Sequence, residues 1–324
     1  MLRLEIFLKK IGQVLLTLWA VATFNFVLFR ILPGDPIRLM ARAGHLSPEA
    51  IARLRQIFGL DRPVIVQYIY YLRNVLTGEL GISVTYRRSV AEILQERILN
   101  TLLLLGAATL IVVVVGVVAG VIAASRRGSR VDGALVITSL VFWSLPTFWT
   151  GLVLIIILGV YLNAFPISGM NSPGYGSAIS FENIVDIGRH LILPTLTLAI
   201  VDMGQFALIT RSSLIDVLTE DYILTAKAKG LPAKKVLWGH GVPNALLPVI
   251  TTMALYVSLV VGGAIQVETV FSWPGMGRLM YDAVLRRDYP LLEASFLLSA
   301  ATVILANFLS DIAYLMIDPR VKEA

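Results

Sequence analysis

Apolar residues run in long blocks that short polar stretches interrupt. Six blocks stand out: about Ile11–Leu32, Thr101–Ala124, Ala134–Leu162, Leu191–Ile209, Ala245–Val267 and Leu291–Ile317. Several contain charge-free runs longer than the roughly 18 residues that mark a membrane-spanning helix. The pattern predicts an all-α, polytopic membrane protein with six transmembrane helices. A transmembrane β-barrel is excluded, because its strands are about ten residues long and alternate in polarity.

The punctuation between blocks is specific. "LPGDP" (32–36) stops the first helix with two prolines and a glycine. Residues 34–97 are polar enough to lie outside the membrane and hold three short amphipathic helix patterns. "SPEAIARLRQIF" opens with Ser47 as N-cap and Pro48 at the first helical position. "PVIVQYIYYLRNVLTG" ends on Gly78, and "SVAEILQERI" opens with the capping box Ser89 to Glu92. The chain therefore divides into a first helix (1–33), an extramembrane helical region (34–97), a core carrying the other five helices (98–318) and a short tail (319–324).

Within the core, Gly116 and Gly120 stand four apart in the second helix, a spacing that permits close helix contact. "SRRGSR" (125–130) ends that helix. Pro146 falls inside the third block, where neighbouring groups must satisfy the freed backbone. Residues 163–188, rich in Gly, Ser and Pro, predict a loop before the fourth block. Residues 268–290 connect the fifth to the sixth.

Composition agrees with the pattern. Of the 324 residues, 57% are hydrophobic and 15% charged, against about one quarter charged in soluble domains. Cysteine is absent, so disulfides, iron–sulfur centres and thiol catalysis are excluded. His45, His190 and His240 are far apart and show no metal-ligand spacing, so no metal or other cofactor is expected. The net charge of +6 fits basic cytoplasmic loops rather than nucleic-acid binding. An even number of spans puts both termini on one side. Short segments on that side carry Arg3, Lys9, Lys10, Arg126, Arg127, Arg130, Arg211, Lys227, Lys229, Lys234, Lys235, Arg320 and Lys322; those opposite carry Arg189, Arg278, Arg286 and Arg287. Both termini are thus expected in the cytoplasm. Residues 34–97 face outward, since regions above roughly 60 residues translocate largely regardless of charge.

One polar stretch is unlike the rest. "TEDYILTAKAKGLPAKKVLWGHGVPNALLP" (219–248) separates the fourth and fifth apolar blocks. Thr219 is positioned to cap a helix of about 220–229, Gly230 sits where a left-handed C-cap belongs, and Pro232 opens a second short helix. Pro243 and Pro248 punctuate its exit. The stretch is either a solvated basic loop or a rigid helix–glycine–helix docking element.

Its spacing resembles the cytoplasmic signature of ABC importer permeases: Glu-Ala-Ala, three residues, Gly, nine residues, Ile-x-Leu-Pro. Ala226, Gly230 and Pro243 match in register, while Leu224, Thr225, His240 and Val242 depart from it. The departures are similar to the oligopeptide/dipeptide/nickel subgroup, carried here by Tyr222, Thr225, Ala226, Ala228, Lys229, Gly230, Leu231 and then Asn244–Pro248. "FGLDRPVIVQY" (58–68), "GELGIS" (78–83), "SLPTFWTGL" (144–152), "LPTLTLA" (193–199), "GGAIQVETVFSWPGMGRL" (262–279), "RDYP" (287–290) and "DPR" (318–320) also look like that subgroup, in order.

The resemblance implies the type I importer permease fold. It also implies half of a solute pathway in a bacterial or archaeal cytoplasmic membrane. A second, homologous permease would supply the other half. Two cytoplasmic ATP-binding subunits would drive the pore, and an extracytoplasmic solute-binding protein would deliver solute. The segment 219–244 would then couple this chain to one ATPase through Tyr222, Thr225, Ala226, Ala228, Lys229, Gly230, Leu231 and Pro243. Moving a two-state pore from 1:99 to 99:1 takes about 5.5 kcal/mol of differential interaction. A floppy loop would not transmit that. No G-x-x-x-x-G-K-[ST] phosphate loop is present, so this chain is not expected to hydrolyse ATP. Peptides head the implied solutes; nickel chelates, glutathione and oligosaccharides are alternatives.

Asp202 lies mid-block, where a charge costs at least about 2.5–3.5 kcal/mol. Gln205 shares its helix face. Three readings stand: Asp202 and Gln205 line the solute path, Asp202 pairs with a partner subunit, or Asp202 is protonated and silent. Glu268 reads as gate or helix-end architecture. A secondary transporter would show inverted repeats, which are not evident. An intramembrane enzyme would need a nucleophile–base pair or metal ligands inside the spans.

Overall fold

The computed structural model describes residues 2–31, 62–174 and 180–317. The helix expected over 47–58 and the tail 319–324 lie outside the described residues. Those described are helical, with a single isolated bridge between Ile82 and Ser89.

The first helix, α1 (Leu2–Ile31), begins earlier than expected. Lys9 and Lys10 sit inside it, because lysine is a good helix former and nothing before Ile11 breaks the pattern. α2 (Val64–Thr77) ends as read. Gly78 is left-handed at φ 76°, its N–H donates to Val75 O and the Glu79 N–H to Asn74 O. The third amphipathic pattern and the second apolar block are not separate. They form one helix of 36 residues, α3 (Val90–Ser125), since no glycine or proline interrupts 90–105.

The third block breaks at Pro146. α4 (Arg130–Ser144) is capped by Ser129, whose hydroxyl accepts from Asp132 N. α5 (Thr147–Leu154) continues as a π-turn over Ile155–Tyr161. The two limbs are bent by 100°. Leu145 is extended, as a residue before proline must tend to be, and Pro146 has no N–H to carry the helix through.

α6 (Phe181–Val217) is longer than its apolar block at both ends. Ser180 caps it, accepting from Asn183 N at 3.2 Å, so the expected loop 163–188 ends sooner. α7 (Asp221–Ala228) follows. α8 (Ala233–Val236) runs through a π-turn (Leu237–Gly241) into α9 (Val242–Gly263). The connection expected over 268–290 is itself helical: α10 (Ile265–Val270) and α11 (Met276–Arg286) precede α12 (Tyr289–Ile317).

Four helices among the described residues are long and apolar enough to cross a membrane: Phe7–Phe29 of α1, Val90–Ser125, Phe181–Val217 and Tyr289–Leu309 of α12. The bent pair α4–α5 makes a fifth if taken as one span. The block expected as the fifth span falls on α9, a helix of 22 residues; the count of six spans is not exact among the described residues.

The chain divides into two units, Met1–Ile98 with Leu279–Ile304, and Leu99–Arg278 with Leu305–Ala324. In the first, α1 and α2 meet through aromatic side chains, with Phe26 5.3 Å from Tyr68 and 5.4 Å from Tyr71 between ring centroids. Asn25 Nδ2 donates to Tyr71 Oη at 3.1 Å and to Glu293 O at 3.0 Å. Burial pushes the Tyr71 hydroxyl up to about 12, so it stays neutral across the physiological range. Buried Asp288 accepts from Ser83 Oγ at 2.6 Å and Thr85 N at 2.9 Å, which fixes the turn before α3.

The second unit is organised around α6. Gly116 and Gly120 of α3 lie against it so closely that a Cβ on Gly120 would stand 2.5 Å from Ala207 O and 2.6 Å from Thr210 Cβ. The small-residue pair is a true contact face. On another side, Gly204 of α6 touches the backbone at Ser139 of α4. Buried Val112, Phe206, Val249 and Tyr256 join α3, α6 and α9.

Candidate coupling segment and intramembrane polar pair

The segment after α6 is a small folded element. Thr219 does not cap α7 as expected; its hydroxyl donates back to Asp216 O at 2.7 Å, and Glu220 takes the N-cap position without a side-chain bond. The turn at Gly230 is as read. Gly230 is left-handed at φ +75°, and a Cβ there would meet nothing within 4 Å. Its N–H donates to Lys227 O at 2.9 Å and the Leu231 N–H to Ala226 O at 3.4 Å, the paired bonds of a Schellman turn. α8 does not end at Pro243. It passes through its π-turn into α9, whose second residue is Pro243.

Ile223, Ala226 and Val236 form the core of this element, with Val217, Leu218 and Leu231 packed against it. The residues singled out from sequence therefore separate. Ala226 is buried and Leu231 half-buried, so they hold the element together. Tyr222, Thr225, Ala228, Lys229, Gly230 and Pro243 are exposed, as are Leu224 and Trp238. Thr225 spends its hydroxyl on Asp221 O at 3.0 Å.

Asp202 and Gln205 are both partly exposed on α6. Asp202 is engaged within the chain: Tyr256 Oη of α9 donates to its Oδ2 at 2.7 Å. The Tyr256 ring is buried edge-on against Phe206, centroids 5.6 Å apart at 87°. The aromatic packing holds the tyrosine in place, and its hydroxyl reaches the carboxylate.

Two further anchors stand out, and sequence reasoning missed the first. Arg211 Nε and Nη2 of α6 donate to Asp132 Oδ1 and Oδ2 at 2.6 and 2.8 Å, and Gly128 N adds a bond at 2.9 Å. Asp132, two positions after the run "SRRGSR", was the available signal. The second anchor centres on α10. Buried Glu268 accepts from Thr101 Oγ1 at 2.7 Å and from Arg278 N at 2.9 Å, while Thr101 Oγ1 accepts from Met276 N at 2.7 Å. Trp273 Nε1 donates to Asn100 O and Asn100 Nδ2 to Pro274 O. Glu268 thus caps α11, the helix-end role among its two readings, and the "SWPGMG" turn is fastened to α3.

A family model described as the binding-protein-dependent transport system inner membrane component matches residues 116–323, and the model of its N-terminal part matches residues 1–105. The chain is 39% identical over 335 residues to the dipeptide transport system permease protein of Escherichia coli, covering 98% of this chain and 99% of that one. It is 38% identical over 307 residues to the oligopeptide transport system permease protein of Bacillus subtilis, covering 94% and 95%. Among solved structures, a chain of the inward-facing MetNI methionine ABC transporter superposes with a TM-score of 0.55 at 16% identity, over 70% of this chain and 96% of that one. That likeness shows the fold, the type I importer permease fold. Matched along nearly its whole length, the chain belongs to the family of multi-pass inner-membrane components of binding-protein-dependent transport systems.

Proposed function

We propose that this chain is one permease subunit of an ATP-driven peptide importer. It forms half of the solute pathway by alternating access. A second, homologous permease completes the pathway, two cytoplasmic ATP-binding subunits hydrolyse ATP, and an extracytoplasmic binding protein delivers the peptide. The observation that carries the coupling part is the element at 219–244. It has its own apolar core, a Schellman turn at Gly230, and an exposed face with Tyr222, Leu224, Ala228 and Lys229. That is a stiff lever with an open face rather than a solvated loop. Dipeptides and oligopeptides are the named solutes of the relatives above, which supports the same class here.

On this reading both termini and 219–244 are cytoplasmic, and residues 34–97 face outward, towards the binding protein. Asp202 and Gln205 contribute polar surface to the path, with Asp202 favouring peptides that carry an extra positive charge.

The test is reconstitution of the four-subunit complex with its binding protein in vesicles. Expected is ATP-dependent uptake of a labelled dipeptide, with cysteines at Ala228 or Ala233 crosslinking to an ATP-binding subunit in a nucleotide-dependent yield. Uptake of a nickel chelate, glutathione or an oligosaccharide in place of peptide would reassign the solute. Failure of every position from 224 to 236 to crosslink, in a complex that transports, would reduce the segment to a polar loop. Asp202→Asn should shift the preference between cationic and neutral peptides; an unchanged preference removes the pathway-lining role.

A further inference from the structure

The coupling segment hangs between two helices, α6 entering it and α9 leaving it. Asp202 stands fifteen residues before the end of α6, and Tyr256 fourteen residues after the start of α9. At 1.5 Å per residue, each is about 21–23 Å from the helix end that meets the segment. The Tyr256–Asp202 hydrogen bond therefore joins the two helices at matched depth, far from the place where the chain itself joins them.

Near the segment, Leu214 of α6 packs with Val242 and Ala245 of α9. Further along, Phe206 packs with Val249 and Tyr256. Apolar contacts of this kind resist separation but allow sliding, because they have no direction. A hydrogen bond of 2.7 Å between side chains of two helices fixes their axial register as well. With the covalent segment at one end and this bond at the other, α6, α7, α8 and α9 form a closed frame.

We infer that Tyr256 and Asp202 are a positioning pair that makes the coupling segment and its two helices move as one body. The bond transmits displacement of 219–244 into the depth of the membrane instead of letting it dissipate as sliding of α9 along α6. This inference rests on the coupling reading above. The role belongs to the hydrogen bond, not to the carboxylate charge: an asparagine at 202 keeps an oxygen that accepts from Tyr256, whereas an alanine does not. That separates it from any effect of Asp202 on charged solutes.

The experiment compares Asp202→Asn, Asp202→Ala, Tyr256→Phe and the double variant Asp202→Ala/Tyr256→Phe in the reconstituted complex. Uptake of a neutral dipeptide per ATP hydrolysed is one readout. The second needs no transport: spin labels on cysteines at the exposed positions Ser212 and Asn244, in the otherwise cysteine-free chain, report how tightly the helix ends are held. Tyr256→Phe removes one oxygen and keeps the buried ring, so the complex should still assemble. Expected is a roughly tenfold fall in uptake per ATP and a broadened label distance for Tyr256→Phe and Asp202→Ala, no further loss in the double variant, and a label distance distribution for Asp202→Asn that matches the parent's. A Tyr256→Phe complex that matches the parent in both readouts overturns the inference, as does an Asp202→Asn label distance distribution as broad as that of Asp202→Ala. If the parent complex itself imports no peptide, the proposed function fails, and the label distances still decide whether the pair holds the helices.

Discussion

Arg211 and Asp132 form a two-pronged ion pair, 2.6 and 2.8 Å, between α6 and the first turn of α4. The Asp132 side chain is 6% exposed and that of Arg211 27%. A carboxylate so buried has little water to fall back on when its partner is removed. Arg211→Ala should lower the thermal unfolding midpoint of the purified permease, because it removes both guanidinium bonds to Asp132. Arg211→Lys should recover only part, because an ammonium cannot make both parallel bonds. Thermal unfolding in detergent would measure this; equal midpoints for the lysine variant and the parent would show that the fork geometry is irrelevant.

The α3–α6 contact depends on absent side chains. Gly120→Val should strain it by about 1–3 kcal/mol, the usual range for overpacking. Gly106→Val is the control, since nothing lies within 4 Å of a Cβ there. Membrane abundance of the two variants, by quantitative blotting, should differ clearly in that order.

Thr101 connects two groups with one hydroxyl. It donates to Glu268 Oε1 and accepts from Met276 N, in a fully buried setting. Thr101→Val keeps the shape and removes the hydroxyl, which takes the acceptor from the buried Met276 N–H and one donor from Glu268. A stability loss of about 1–3 kcal/mol is expected, the scale of one buried group left unpaired. Faster protease cleavage between 271 and 278 should accompany it; a loss without local cleavage would place the effect elsewhere.

Gly230 has space for a side chain and the wrong backbone for one. A left-handed conformation costs roughly 1–2 kcal/mol for an L-residue, more with a branched Cβ. Gly230→Val should therefore depress solute-stimulated ATP hydrolysis more than Gly230→Ala, with the permease still inserted. Lys229→Ala and Lys234→Ala should change it less, because exposed charge contacts contribute only about 0–1 kcal/mol. Equal rates for the valine and alanine variants would remove the backbone argument.

The proposed orientation is open to direct labelling, because the chain has no cysteine of its own. A cysteine at exposed Glu182 should react with an impermeant thiol reagent from outside intact cells. Cysteines at exposed Arg127 and Thr219 should react only once the inner face is opened. Outside labelling at 127 would invert the arrangement.

Hydrophobic periodicity and length were enough to read an all-helical membrane protein, and Gly78 and Gly230 announced their left-handed turns, because such signals are local. The resemblance to importer permeases was likewise legible in short ordered motifs. Helix ends were not. α3 and α6 run far beyond their apolar blocks, since a helix leaving the membrane keeps its backbone bonds while its side chains turn polar. The break at Pro146 was legible as a proline but not as a 100° bend, which depends on what packs against each limb. Pairings across the chain needed the tertiary structure altogether. Asp202 looked like an isolated acid until Tyr256, 54 positions later, was brought to 2.7 Å; Asp132 and Arg211 are separated by 79 positions and Thr101 and Glu268 by 167. Sequence spacing carries no record of which helix lies beside which. The fold decides that Ala226, read as a contact residue, belongs to a core, and that an acid in a span has a partner within its own chain.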